Sequence, residues 1–341
     1  MSISFKEDHI SQIPALLMLE KLGYTYLTPD EALALRGGNL ANVLLEPVLR
    51  KQLAAINVVQ VSSVRTTVFS EQNITAGIDA LRNIPMDEGF MEASQTVYDL
   101  LTSGKTLEQI VDGDRKSFVM QYIDWKNPRN NVFHVTEEFA VSRTGMTETY
   151  RPDIVLFVNG IPLCVIECKR PDVKDSIEQA ISQHLRNQKA DGIRSLYLYS
   201  TLLLAINRQE GSYATTATPE KFWARWREQF ADREEEARYR QERERVVNEP
   251  LLDDKLFGER FGYVRRNFEE LYKQPVTPSV QDEYLYNLCR PERLLQLMYG
   301  FTLYDDGIKK VARYQQYFAV RQTMQRLSLI HISEPTRHSL I

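Results

Sequence analysis

Two stretches in the middle of the chain, Ile154–Val158 and Ile161–Cys168, are apolar at nearly every position, while most other segments mix polar and apolar residues at regular spacing. A strand with one wet face alternates with period two, so short continuous runs predict strands covered on both faces. Asn159-Gly160 separates them, and this dipeptide between apolar runs is the strongest short-range hairpin signal. Helical spacing marks residues 11–22, with Pro14 in the first turn and Gly23 as the stop. It recurs over 41–56, 73–83, 92–102 and 175–189. Residues 131–141 and 195–200 carry strand character, and 219–230 predict an aromatic-rich helix with Phe222, Trp223, Trp226 and Phe230. The order strands, helix, strand implies an α/β domain with a mixed central β-sheet flanked by helices.

Residues 231–249 are densely charged with mixed sign, which predicts a solvated helix or linker and a domain boundary nearby. Helical patterning resumes over 282–325, broken at Gly300 and Asp305-Asp306-Gly307. The expected division is one domain over 1–248 with a helical N-terminal part, then a linker and a mostly helical segment over 249–326. No internal repeat is visible.

Composition narrows the classes. The chain has 341 residues, 43% of them apolar, enough for a sizeable core and two domains. No apolar run reaches the roughly 18 residues of a membrane span, and the N-terminus lacks the pattern of a signal peptide. Cys164, Cys168 and Cys289 make an odd count without zinc spacing, which implies reduced thiols in a cytoplasmic protein. Net charge is −4 and the pI about 5.9. Bulk charge gives no argument for nucleic acid, because phosphate neutralisation favours basic proteins. Any such contact must come from local clusters. Arg151, Lys169, Arg170, Lys174, Arg186 and Lys189 form one, readable as phosphate contacts or as a solvated face. His134 and His184, standing singly, read as strand or helix surface residues.

Candidate chemistry sits at the ends of the apolar hairpin. Arg151-Pro152-Asp153 opens one strand and Glu167-Cys168-Lys169 closes the next. Hydrolysis of a phosphodiester needs a hard cation to polarise the phosphate and acidify water, and such cations take carboxylate and carbonyl oxygens. Two carboxylates and a lysine are the required parts. Glu167 and Lys169, two apart in a strand, share a face. Asp153 joins them only in one register. A two-residue turn pairs Val158 with Ile161 and puts Asp153 and Glu167 on opposite faces. A three-residue loop with Gly160 as a G1 bulge, or an equivalent bulge, restores them to one face, with Asp153 opposite Val165 and diagonal to Glu167.

The stretch Arg-Pro-Asp-Ile-Val-Leu-Phe-Val-Asn-Gly-Ile-Pro-Leu-Cys-Val-Ile-Glu-Cys-Lys-Arg-Pro resembles the PD-(D/E)xK nuclease core of the R subunit of type I restriction enzymes. Leu22-Gly23-Tyr24, Asn127-Pro128-Arg129-Asn130-Asn131 with Phe133, and Ser212-Tyr213-Ala214-Thr215 with Phe222-Trp223 agree, so the likeness covers roughly residues 1–326. It implies a restriction-endonuclease-like nuclease fold over 1–248 and the start of a helicase-like motor domain over 249–326. Asp153, Glu167 and the Cys168 carbonyl would be magnesium ligands, with Lys169 orienting or deprotonating the attacking water. The family's Gln-x-x-x-Tyr motif matches Gln183 but meets Asn187 where Tyr is usual. Gln183, Arg151 and Arg170 are therefore expected at the DNA or in support of the site. A carboxylate on the first helix has Glu7, Gln12 and Glu20 as nearest positions.

The resemblance also implies duplex DNA as substrate, methyltransferase and specificity subunits as partners, and an ATP-driven motor. The chain has no Gly-x-x-x-x-Gly-Lys-Ser/Thr phosphate loop. Residues 312–320 nevertheless resemble the adenine-reading segment that precedes it, with Gln316 as the ATP contact. Residues 327–341 resemble a translated sequencing-library adaptor, so they are expected to be non-native and the polypeptide a truncated R subunit that does not hydrolyse ATP alone.

Overall fold

The computed structural model describes residues 11–62, 65–250 and 255–333. Its centre is a six-stranded sheet built from β1 (Thr25–Tyr26), β2 (Phe133–Glu137), β3 (Ile154–Val158), β4 (Ile161–Cys168), β5 (Leu202–Ile206) and β6 (Gly211–Ala214), adjacent in space in that order. β1 runs parallel to β2 and β4 parallel to β5, whereas the other neighbours are antiparallel. The protein is thus α/β with a mixed central sheet.

The continuous apolar runs explain why β3 and β4 lie in the middle. Every residue of both strands is buried, and each Val, Leu or Ile covered this way contributes roughly 1.5–3 kcal/mol. The helix Ser176–Asn187 lies in the crossover between the parallel strands β4 and β5, packing Ile177, Ala180 and Ile181 on Ala205. At the other edge, helix Ile13–Lys21 packs on β2, and Pro14 sits in its first turn as its sequence implied.

Two elements differ from the sequence reading. Residues 195–200 are not a strand: Arg194–Tyr197 is a short helix, and the strand is Leu202–Ile206, which reaches parallel register with Cys164–Cys168. The aromatic stretch 219–230 is not a helix either. After a 3-10 turn at Glu220–Phe222 it runs extended along the sheet edge, where Ala224 and Tyr213 exchange backbone hydrogen bonds of 2.8 and 3.0 Å. Trp226 then inserts among Tyr213, Tyr317 and Phe318. Edge pairing and aromatic burial outweigh the helical spacing.

The charged run forms the helix Arg233–Val247, capped by Asp232 and laced by pairs such as Arg240–Glu236. Beyond it, helices Val280–Leu288 and Pro291–Gly300 precede a hairpin, Thr302–Asp305 with Ile308–Val311, turning at Asp306-Gly307. The helix Tyr314–Ser333 follows. One apolar cluster runs from Ile13 to Phe318, and Tyr24 Oη donates to the Cys289 carbonyl at 2.6 Å across it. Cys164, Cys168 and Cys289 are free and buried. Among the described residues, no helix is long and apolar enough to cross a membrane.

Candidate active site

Asp153 and Glu167 stand at the open ends of β3 and β4, so strand pairing decides whether they meet. The turn between the strands has two residues, not three: Val158 pairs with Ile161 and Phe157 with Pro162. Asn159 and Gly160 both adopt left-handed backbone, φ 52° and 83°, as a two-residue hairpin turn requires. The register then shifts between Pro162 and Cys164, so that Leu156 faces Cys164 and Ile154 faces Ile166. Leu163 is the extra residue of a β-bulge. Continued by one position, this register sets Asp153 directly across from Glu167, not opposite Val165. The loop expected from the sequence is absent, and the equivalent bulge takes over its task. Pro162 supplies the local reason, since it has no N–H for the ladder and strands admit proline at bulges.

The turn is itself anchored. Asn159 is fully buried; its side-chain oxygen accepts the Val132 N–H, and its amide donates to Tyr122 O and Asn131 Oδ1. The Gly160 carbonyl accepts the Leu45 N–H at 2.9 Å, where the helix Glu46–Ile56 begins. This contact holds the hairpin against the N-terminal layer.

At the far end the backbone amide of Cys168 donates to Asp153 Oδ2 at 2.7 Å. Lys169 Nζ lies 3.5 Å from the same oxygen and donates to the Cys168 carbonyl at 3.0 Å. Neighbouring elements fix the strand ends: Ser11 Oγ donates to the Lys169 carbonyl at 2.7 Å, and Gln12 Nε2 to the Asp153 carbonyl at 3.0 Å. Glu167 is fully buried. Its Oε2 accepts Gln183 Nε2 at 2.6 Å, and its Oε1 has no hydrogen-bond partner among the described residues.

Magnitudes show why Glu167 is out of balance. Burying a carboxylate costs several kcal/mol, and a hydrogen bond to a charged group returns roughly 1.5–3 kcal/mol. Burial therefore pushes the Glu167 carboxyl well above the usual carboxylate range; the Asp153 carboxylate pushes the same way and Lys169 opposes both. Two carboxylates held together with one unpartnered oxygen are suited to a cation. Among the described residues no group of three or more His, Cys, Asp or Glu converges as a metal cage. The donors instead fit magnesium, which binds through one or two carboxylates and keeps several waters. Asp153, Glu167 and the Cys168 carbonyl would hold it.

Asp153, Cys168 and Lys169 line a cleft of about 550 Å³ with Gln12, Glu138, Gln183 and Tyr263, while buried Glu167 is reached through its hydrogen bond with the lining residue Gln183. Of the first-helix positions, Gln12 reaches the cleft, Glu20 is buried elsewhere on the helix, and Glu7 lies outside the described residues. Asn187 is fully buried. Arg151 is exposed beside Asp153, and Arg170 is engaged with Asp172 at 2.9 Å. Arg186 stacks on the Tyr150 ring, with Arg143 also over that ring. Lys174 and Lys189 are exposed.

Of the two histidines singled out in the sequence, His134 is half-buried in its strand and His184 is not a surface residue. His184 is fully buried, bonded to Tyr197 Oη at 3.0 Å and the Leu204 carbonyl at 2.9 Å, and burial lowers its pKa to about 4. Burial also lowers His134. Gln316 lies at a different pocket of about 530 Å³ with Tyr213, Phe222, Lys309 and Arg313, its side-chain oxygen accepting the Arg313 N–H at 2.9 Å. Sequence reasoning missed Glu138, Arg260 and Tyr263 at the cleft. Glu138 had a signal, as it lies on the strand stretch that pairs with β3; the other two come from a segment with no strand or helix pattern to place it.

Comparison with known proteins bears on this arrangement. The family model described as the N terminus of the type I restriction enzyme R protein matches residues 4–222. The HindI type I restriction enzyme endonuclease subunit of Haemophilus influenzae is 25% identical over 331 residues, covering 93% of this chain and 26% of that protein. A Methanocaldococcus jannaschii protein bearing the name of the type I restriction enzyme MjaIXP endonuclease subunit is 25% identical over 330 residues, 94% of this chain and 28% of its own length. The chain thus spans about a quarter of the length of these relatives.

Proposed function

Because this chain belongs to the type I restriction enzyme R protein N-terminal family, we propose that its cleft is the phosphodiester-hydrolysing centre of a restriction endonuclease of the PD-(D/E)xK fold, acting on duplex DNA. The observation that carries the reading is the bulge at Leu163, which sets Asp153 across from Glu167 with Lys169 Nζ 3.5 Å from Asp153. Asp153 and Glu167, with the Cys168 carbonyl, are the magnesium ligands. A bound magnesium ion supplies Lewis-acid polarisation of the phosphate and a more acidic water. Lys169 orients or deprotonates the attacking water and stabilises charge as it develops. Gln183 positions Glu167 by its 2.6 Å hydrogen bond. Exposed Arg151, next to Asp153, and exposed Arg186, stacked on Tyr150, would contact DNA phosphates, which set orientation without reading sequence.

Choice of DNA site then falls to specificity and methyltransferase subunits, in a cytoplasmic complex that an ATP-driven motor supplies with duplex. Gln316, which lines the pocket beside Phe222, would contact the adenine of ATP in the full-length protein. The test is metal dependence of cleavage. Supercoiled plasmid incubated with the protein and its partner subunits should be nicked in magnesium and left intact when EDTA removes the ion. Equal nicking in EDTA would sink the proposal.

A further inference from the structure

β2 ends at Glu137, and the next residue, Glu138, takes a left-handed backbone with φ 50°. For a residue other than glycine this costs roughly 1–2 kcal/mol, and glutamate lacks the short side chain with which Asn or Asp offsets it. The strained residue holds the site: its N–H donates to the Asp153 carbonyl at 3.1 Å. Register gives its place. Glu137 pairs with Ile154, so one position further Glu138 lies across from Asp153, just as Asp153 lies across from Glu167. Continued past the paired residues, the three strand ends bring Glu138, Asp153 and Glu167 side by side, and Glu138 and Asp153 line one cleft. Like charges directly opposite each other are destabilising. Glu137 takes no part, since it is fully buried against Tyr26 and Arg260.

Glu138 lines the same cleft as Asp153 and Lys169, half-buried. Its carboxyl is pushed up by burial first and by Asp153 second, and Arg151 opposes them. At the other end of the row stands Glu167 Oε1, fully buried and without a partner among the described residues. The three acids do not close into a direct cage. A cation on Asp153 and Glu167 would meet Glu138 across its own water shell.

We propose that Glu138 is a positioning carboxylate for the divalent cation of this cleft, holding a water of the ion and kept in place by a backbone strained for that purpose. The inference rests on the reading of the cleft as a magnesium site. Strain of this kind persists where the site uses it, so removing it should trade function for stability.

The experiment measures Mn2+ affinity by electron paramagnetic resonance, and thermal unfolding without cation, for the 341-residue chain and three variants. Glu138→Gln removes the charge and keeps the strained backbone. Glu138→Gly removes both. Asp153→Ala tests the underlying site. Both Glu138 variants should bind Mn2+ roughly 10-fold more weakly, as for groups just outside the ligand shell. Glu138→Gly should also raise Tm by about 2–4 °C, which shows that it folds. Mn2+ affinity within twofold of wild type in Glu138→Gly would overturn the inference. If Asp153→Ala is impaired in that case, only the role of Glu138 falls. If Asp153→Ala also binds as wild type does, the cation site itself falls.

Discussion

Substituting Gly160 by alanine tests whether the hairpin turn, on which the site's register depends, is fixed by its docking on the N-terminal layer. Two costs add. The residue sits at φ 83°, where a Cβ costs roughly 1–2 kcal/mol. The new Cβ would also stand 2.6 Å from the Leu45 carbonyl oxygen and 3.1 Å from the Leu49 nitrogen, both backbone atoms that no side-chain rotation can clear. Overpacking of this kind costs roughly 1–3 kcal/mol. The sum, about 2–5 kcal/mol, is a large part of the roughly 5–15 kcal/mol that stabilises a domain. Gly145 is the internal control, because it has φ 71° and nothing within 4 Å of an added Cβ. Urea unfolding should therefore show Gly160→Ala losing clearly more stability than Gly145→Ala, with an unchanged m-value. Equal losses would refute the docking argument, leaving only backbone strain.

Other outcomes follow from the same geometry. Gln183→Ala removes the donor that holds Glu167 Oε2 and should lower cleavage roughly 10–100-fold while circular dichroism stays native. His184 is neutral and buried with a pKa of about 4, against about 6.5 in an unfolded chain. As pH falls from 7.5 to 5 the unfolded state takes up a proton that the folded state refuses, so stability drops by about 2 kcal/mol. Because the raised Glu167 and Glu138 carboxyls titrate in both proteins, the effect is read as the difference between wild type and His184→Gln, and parallel pH profiles would show that another group carries it. Arg260→Ala strips the cation from fully buried Glu137. The loss should be roughly 2–3 kcal/mol, below that for a wholly buried pair because the guanidinium is 40% exposed. Adding Glu137→Gln should recover most of it in chemical denaturation.

Much of this centre could be read from the chain because its signals are local. Continuous apolar runs give β3 and β4, Asn159-Gly160 gives their turn, and the requirement that Asp153 and Glu167 share a face predicts an irregularity between them. Its location was legible only in part. Pro162 marks a defect in the ladder, yet a glycine loop satisfies the same parity, and the choice is made by contacts of the turn with Leu45 and Asn131, far away in sequence. The helix at Arg194–Tyr197 went unread for a related reason. Residues 195–206 are mostly apolar, broken only by Ser195, Ser200 and Thr201, and pairing with Cys164–Cys168 selects which part extends. Trp223 and Trp226 have helical spacing by coincidence: Trp226 is buried against Tyr213, Tyr317 and Arg293, whereas half-buried Trp223 packs on His184. Glu138 stood within the strand stretch 131–141, but its left-handed φ and its place beside Asp153 are not reported by residue type.

The most direct measurement of the central claim is nicking of supercoiled plasmid in magnesium by wild type, Asp153→Ala and Lys169→Ala, each assembled with its partner subunits and matched for folding by circular dichroism. Loss of cleavage by at least about 100-fold in both variants is the predicted result. Cutting by Asp153→Ala at the wild-type rate would contradict the account.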